Sequence, residues 1–178
     1  NVRIWVAGCA NGAEAYTMAI LCREVMDSLP TAPKVQIFAT DIDERSLAVA
    51  RRGTYPLGIR DHISPKRLKR FFVKQGTKYH VAKEIRELVL FSNHNLISDP
   101  PFSRLDLISC RNLLIYLGAH LQKKLIPLFH YSLQPGGYLF LGPAETLSVN
   151  RELFRTLHTK HRLYQRRVTT LDRPQTLE

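Results

Sequence analysis

The apolar residues of this chain gather in five short runs, at residues 2–7, 35–40, 87–92, 105–110 and 137–142. Each run is bounded by polar or turn-forming residues, and three are near-continuous in Val, Ile, Leu or Phe. Runs of that kind suit strands buried on both faces, which means a mostly parallel sheet covered by helices. Between them, apolar positions recur with helical spacing over 12–28, 43–52 and 119–132. The alternation of strand and helix predicts an α/β, doubly wound architecture. Gln134-Pro135-Gly136-Gly137 reads as a turn feeding the strand Tyr138-Leu139-Phe140-Leu141. A last basic strand over 161–167 is expected to pair antiparallel at the sheet edge, and the polar tail 168–178 to be disordered.

Residues 60–86 break this rhythm. Ser64-Pro65 is a helix start, with Ser at the N-cap and Pro at the first helical position. A short helix is expected over Lys66–Phe72. Phe72-Val73-Lys74, a Gln75-Gly76-Thr77 turn and Tyr79-His80-Val81 then read as a β-hairpin. The segment predicts a small inserted β subdomain.

The first strand runs straight into Gly8-Cys9-Ala10-Asn11-Gly12-Ala13-Glu14, and the second ends at Asp41-Ile42-Asp43. Strand, small-residue turn, helix, strand and carboxylate is how an α/β fold builds a nucleoside-binding crevice. Small residues let backbone approach a ligand, and the carboxylate can hold a ribose diol. The turn has only Gly8 and Gly12 and lacks the third glycine of a pyrophosphate-binding loop. A ligand with adenosine and no phosphates fits better, which points toward S-adenosylmethionine. An ordinary strand–helix turn with no ligand is the competing reading.

Composition narrows the field. The 178 residues are 44% hydrophobic and 23% charged, as in a globular domain. No apolar run reaches the ~20 residues of a membrane span, and no secretory signal is visible. Cys9, Cys22 and Cys110 are odd in number and widely spaced, which suggests neither a disulfide framework nor a metal site. A reducing cytoplasm is the expected home. The chain begins with Asn1 almost inside its first strand and reads as a domain excised from something longer. Charge is focused: residues 51–86 hold 11 basic and 2 acidic side chains, out of a formal net charge of +11. Such a patch attracts polyanions or acidic protein surfaces, unless it is only a set of solvated helix faces.

Several segments resemble the CheR family of chemotaxis-receptor glutamate methyltransferases, in their C-terminal S-adenosylmethionine-binding domain. They are Trp5 to Tyr16, Ala39 to Asp43, Asn95-Leu96 with Asp99-Pro100-Pro101-Phe102, and Leu105 to Tyr116. Gln134 to Gly142 and Lys160 to Tyr164 fit as well. The resemblance covers residues 2–167, and around 98–117 it is most like the versions fused to a receptor methylesterase. It implies a Rossmann-like methyltransferase fold with a small inserted β subdomain.

It also implies roles for individual residues. Ala7, Gly8 and Cys9 would form the turn against the cofactor, and Glu14 would lie near its methionine end. Asp41 would accept hydrogen bonds from the ribose, with Ile42 packing on adenine. Asn95 and Leu96 would border the adenine. Arg111, Asn112 and Tyr116 would come from the same sheet rim, Arg111 setting the pocket's charge and Tyr116 orienting the acceptor carboxylate. The implied reaction moves a methyl group onto receptor glutamates, with S-adenosylhomocysteine as product and no metal. The implied partners are acidic cytoplasmic receptor helices, met in part by the basic segment 51–86, with no nucleic acid expected.

Two departures stand beside the resemblance. Many members carry paired acids after the glycine turn, and here the first is Ala13. The family's helical N-terminal domain is not in this sequence. A weak or inactive cofactor-binding scaffold is therefore the first rival reading, and a nucleic-acid methyltransferase the second.

Overall fold

A computed structural model describes residues 1–143 and 145–169. The tail expectation, from residue 170 onward, lies outside the described residues. In chain order the first elements are β1 (Val2–Ala7), α1 (Ala13–Ser28), β2 (Val35–Asp41), α2 (Glu44–Arg52) and β3 (Thr54–Pro56). There follow α3 (Pro65–Phe71), β4 (Phe72–Gln75), β5 (Lys78–Val81), α4 (Lys83–Arg86) and β6 (Val89–Asn93). The last are β7 (Leu105–Ser109), α5 (Ala119–Ser132), β8 (Leu133–Phe140), β9 (Phe154–His158) and β10 (Leu163–Arg166). Seven strands make a sheet in the order β6-β2-β1-β7-β8-β10-β9, and three make a small sheet in the order β3-β5-β4. The class is the α/β one that the alternation predicts.

Contacts divide the chain into two units. In the first (Asn1–Val2 and Cys9–His94), β2 and β6 run parallel, in register from Ile37 opposite Val89 to Asp41 opposite Asn93. Both α1 and α2 pack on this pair, burying Ala15, Tyr16, Ala19 and Ile20 from one and Leu47 and Ala50 from the other. α2 starts where it does because the Asp43 carboxylate caps it, accepting from the Arg45 N–H and the Ser46 hydroxyl. The small antiparallel sheet belongs to this unit.

In the second unit (Arg3–Gly8 and Asn95 onward), β1 and β8 both run parallel to β7. Trp5 is fully buried, with the rings of Phe102 and Phe129 meeting it edge to face. Aromatic pairs of that geometry add to the area they bury.

Four expectations are corrected. The strand over 161–167 is β10, which pairs antiparallel with both β8 and β9, so β9 is the edge strand. The helix expected over Lys66–Phe72 begins at Pro65 and stops at Phe71, because Phe72 is extended and opens β4. The hairpin gains a third strand, β3, which pairs with β5. The turn at Gln134–Gly137 lies within β8 as an irregularity: Leu105 pairs with Leu133 but Leu107 with Tyr138, so the intervening residues bulge out.

Candidate active site

In the first unit the turn after β1 is fastened to the end of β2. The Cys9 N–H donates to the Thr40 carbonyl at 2.9 Å, and the Ala10 N–H to Asp41 Oδ2 at 2.8 Å. Asp41 Oδ1 accepts from the Asp43 N–H at 2.9 Å. Each carboxylate oxygen therefore takes one backbone donor and keeps acceptor capacity, since an ionised carboxylate has about four lone-pair sites. Asn93, opposite Asp41 in register, donates from Nδ2 to the Ile42 carbonyl at 3.1 Å. Beside them Ile42 holds its apolar side chain 66% exposed.

The turn needs its small residues for packing. Gly12 has φ +86, and a Cβ there would come within 2.8 Å of the Ala50 Cβ and 3.1 Å of the Phe91 ring. The Asn11 carbonyl accepts from the Tyr55 hydroxyl at 2.8 Å. Glu14 is half-buried in the first turn of α1, where a carboxylate suits the positive helix end. Cys9 is buried, and burial, with Asp41 nearby, pushes its thiol up to about 12. It is an inert wall of the turn.

The second unit carries Ala7, buried at the end of β1, and Gly8 after it. Because β1 and β7 are parallel, with Val6 opposite Ser109, Gly8 and Arg111 lie just past the carboxyl ends of adjacent strands. Gly8 has φ +71, and a Cβ there would come within 3.2 Å of the Leu113 side chain. The space beside Gly8 on this face is taken by Leu113.

Arg111 sits with its guanidinium 5.5 Å from the centre of the Phe140 ring, and its Nε is buried with no hydrogen-bond partner among the described residues. Asn112 is exposed, at φ +56. Tyr116 closes the short 3-10 helix Leu114–Tyr116 and is 79% exposed. Asn95 and the half-buried Leu96 lie beyond β6, not within it. The Asn95 N–H donates to Asp99 Oδ2 at 2.7 Å, and its own Oδ1 accepts from the Ile97 N–H at 3.0 Å. Its side-chain oxygen thus shapes a turn, which leaves Nδ2 as the group suited to reading a base.

Glu145, which the sequence reading passed over, is 2% exposed. One of its oxygens, Oε1, accepts the N–H groups of both Leu113 and Leu114, the latter at 2.9 Å. A signal for it exists: it is the sole acid between Asp106 and Glu152, in a strongly apolar setting.

The basic segment is partly neutralised within its own unit. Arg67 makes a two-pronged pair with Glu24, both contacts 2.8 Å, and Arg70 pairs with Asp27. Arg51 pairs with Glu44, and Lys83 with Glu87 at 3.5 Å. Lys66, Lys69, Lys74 and Lys78 are exposed and carry no ion pair among the described residues. No described helix is long and apolar enough to cross a membrane.

A family model described as "CheR methyltransferase, SAM binding domain" matches residues 1–163. An uncharacterised 104.1 kDa protein of Rhodobacter capsulatus is 40% identical over 93% of this chain and 17% of its own length. A putative methyltransferase, Cher3, of Pseudomonas putida is 35% identical over 93% of this chain and 63% of its own. A chemotaxis protein methyltransferase of Borreliella burgdorferi is 38% identical over 86% and 55% respectively. The chain thus spans less than two thirds of the length of each of these relatives.

Proposed function

Since the chain belongs to the CheR methyltransferase family as its S-adenosylmethionine-binding domain, we propose that it serves protein-glutamate O-methylation of chemotaxis receptors. The observation that carries the cofactor part is the fastening of the small-residue turn to Asp41 through the Ala10 N–H. The donor set fits the cofactor: a fixed carboxylate for two ribose hydroxyls, the exposed Ile42 for the adenine face, and a tight turn with no phosphate-binding glycine run. Glu14 suits the amino-acid end. Asn95 and Leu96 are assigned to the adenine, and Arg111 and Asn112 to the rest of the cofactor. When bound, S-adenosylmethionine supplies an electrophilic methyl group on a positively charged sulfur.

The chain's own residues then have a short task. A glutamate side chain has a pKa of about 4.3, so at neutral pH the acceptor is already a nucleophile and needs no general base. What remains is alignment and removal of water from the carboxylate. The exposed Tyr116 hydroxyl is assigned to orient that carboxylate, and Arg111 to set the local charge. The exposed lysines of 66–78 suit an acidic receptor helix, and a cytoplasmic location follows from such a partner.

Incubation with methyl-labelled cofactor and a receptor cytoplasmic fragment tests the assignment. The expected product is a labelled ester released by mild alkali. Label that resists alkali, or no transfer even when the chain is extended to the length of its relatives, would contradict it.

A further inference from the structure

We propose that Glu145 is a positioning residue for the Arg111–Tyr116 loop, holding Leu113 and Leu114 so that Leu113 stays packed against Gly8. The inference rests on reading Gly8 and residues 111–116 as parts of the methyl-transfer site.

A carboxylate is costly to bury unless it gains strong donors, and Glu145 gains two backbone N–H groups on one oxygen. Leu113 and Leu114 are the N-cap and first residue of the 3-10 helix that ends in Tyr116. Those amides lack partners within their own helix, so the Glu145 oxygen satisfies both. The loop departs from regular structure just before this point, at Asn112 with φ +56. Glu145 therefore fixes the loop at the place where Asn112 turns it and Tyr116 ends it. Leu113 carries the effect onward, since its Cδ2 lies 3.2 Å from where a Gly8 Cβ would stand. A loop that slips away from Glu145 loosens its packing on the cofactor-side turn and leaves Tyr116 without a fixed origin.

The test compares wild type, Glu145→Leu, Glu145→Gln and Asp41→Ala in three readings: calorimetric affinity for S-adenosylhomocysteine, thermal midpoint, and amide exchange at Leu113 and Leu114. Glu145→Leu, which has no acceptor, is expected to speed exchange at those two amides and to weaken binding at least tenfold, and Glu145→Gln, which keeps an acceptor oxygen, to recover most of both. A merely structural role would lower the midpoint without singling out those amides. Binding lost in Asp41→Ala but kept in Glu145→Leu overturns the positioning role alone, and no binding by wild type overturns it together with the cofactor assignment. Should Glu145→Leu fail to fold, Leu113→Ala is read in its place. At least a fivefold loss of affinity is expected there, and unchanged affinity overturns the inference.

Discussion

Ala10 and Asp41, 31 residues apart in the chain, meet through a 2.8 Å hydrogen bond in which the Ala10 N–H donates to Oδ2. The bond joins the first turn to the end of the second strand, so the residue assigned to the ribose also shapes the turn beside it.

The same turn gives the sharpest packing prediction. Gly12→Ala places a methyl 2.8 Å from the Ala50 Cβ at a backbone φ of +86. Overpacking and left-handed strain together cost about 2–4 kcal/mol. Gly58→Ala, with nothing within 4 Å of the added Cβ, is expected to be near neutral. Urea unfolding of the two variants reads the difference, and equal midpoints would contradict the packing account.

A pH dependence follows from the α1–α3 ion pair. Arg67, hydrogen-bonded to Glu24, holds the Glu24 carboxyl below its ordinary value of 4.5. A carboxyl lowered in the folded state adds stability above its unfolded pKa, and that stability is lost as pH falls through the folded value. Below about pH 4.5 wild type is therefore expected to lose stability more steeply than Glu24→Gln. Parallel curves would show that the pair adds nothing, as solvent-exposed pairs often do.

Thiol chemistry separates the three cysteines. Cys9 and Cys110 are buried and Cys22 is half-exposed, with burial raising the thiols of both Cys9 and Cys22. Ellman's reagent at pH 8 is expected to modify Cys22 slowly in the folded chain, and Cys9 and Cys110 only after unfolding. Rapid reaction of two thiols would contradict the burial of Cys9 or Cys110.

How far these features can be read from sequence depends on how local their causes are. β1 and β2 are legible because their apolar runs end abruptly in turn and acidic residues. β3 is three residues long and includes Pro56, so only its pairing with β5 makes it a strand. Asp41 stands out as a strand-end acid, but its bond to Ala10 depends on tertiary approach. Glu145 acts on Leu113 and Leu114 across more than 30 residues. Focused charge on 51–86 is visible as composition, whereas its pairing to Glu24 and Asp27 of α1 is a product of folding.

Tyr116 tests the assigned chemistry. Its side chain is largely in solvent, so Tyr116→Phe is expected to leave the thermal midpoint unchanged. In a chain competent for transfer, turnover should fall more than tenfold while affinity for S-adenosylhomocysteine stays within twofold. Equal losses in both would remove Tyr116 from the methyl-transfer step.

Calorimetric titration of the chain with S-adenosylhomocysteine, beside Asp41→Ala, tests the central claim most directly. Hydrogen bonds to a charged group contribute about 1.5–3 kcal/mol each. The account predicts saturable binding by wild type and a loss of about 30-fold or more in the variant, with the variant still folded. Equal affinity in the two chains, or no binding by folded wild type, would contradict it.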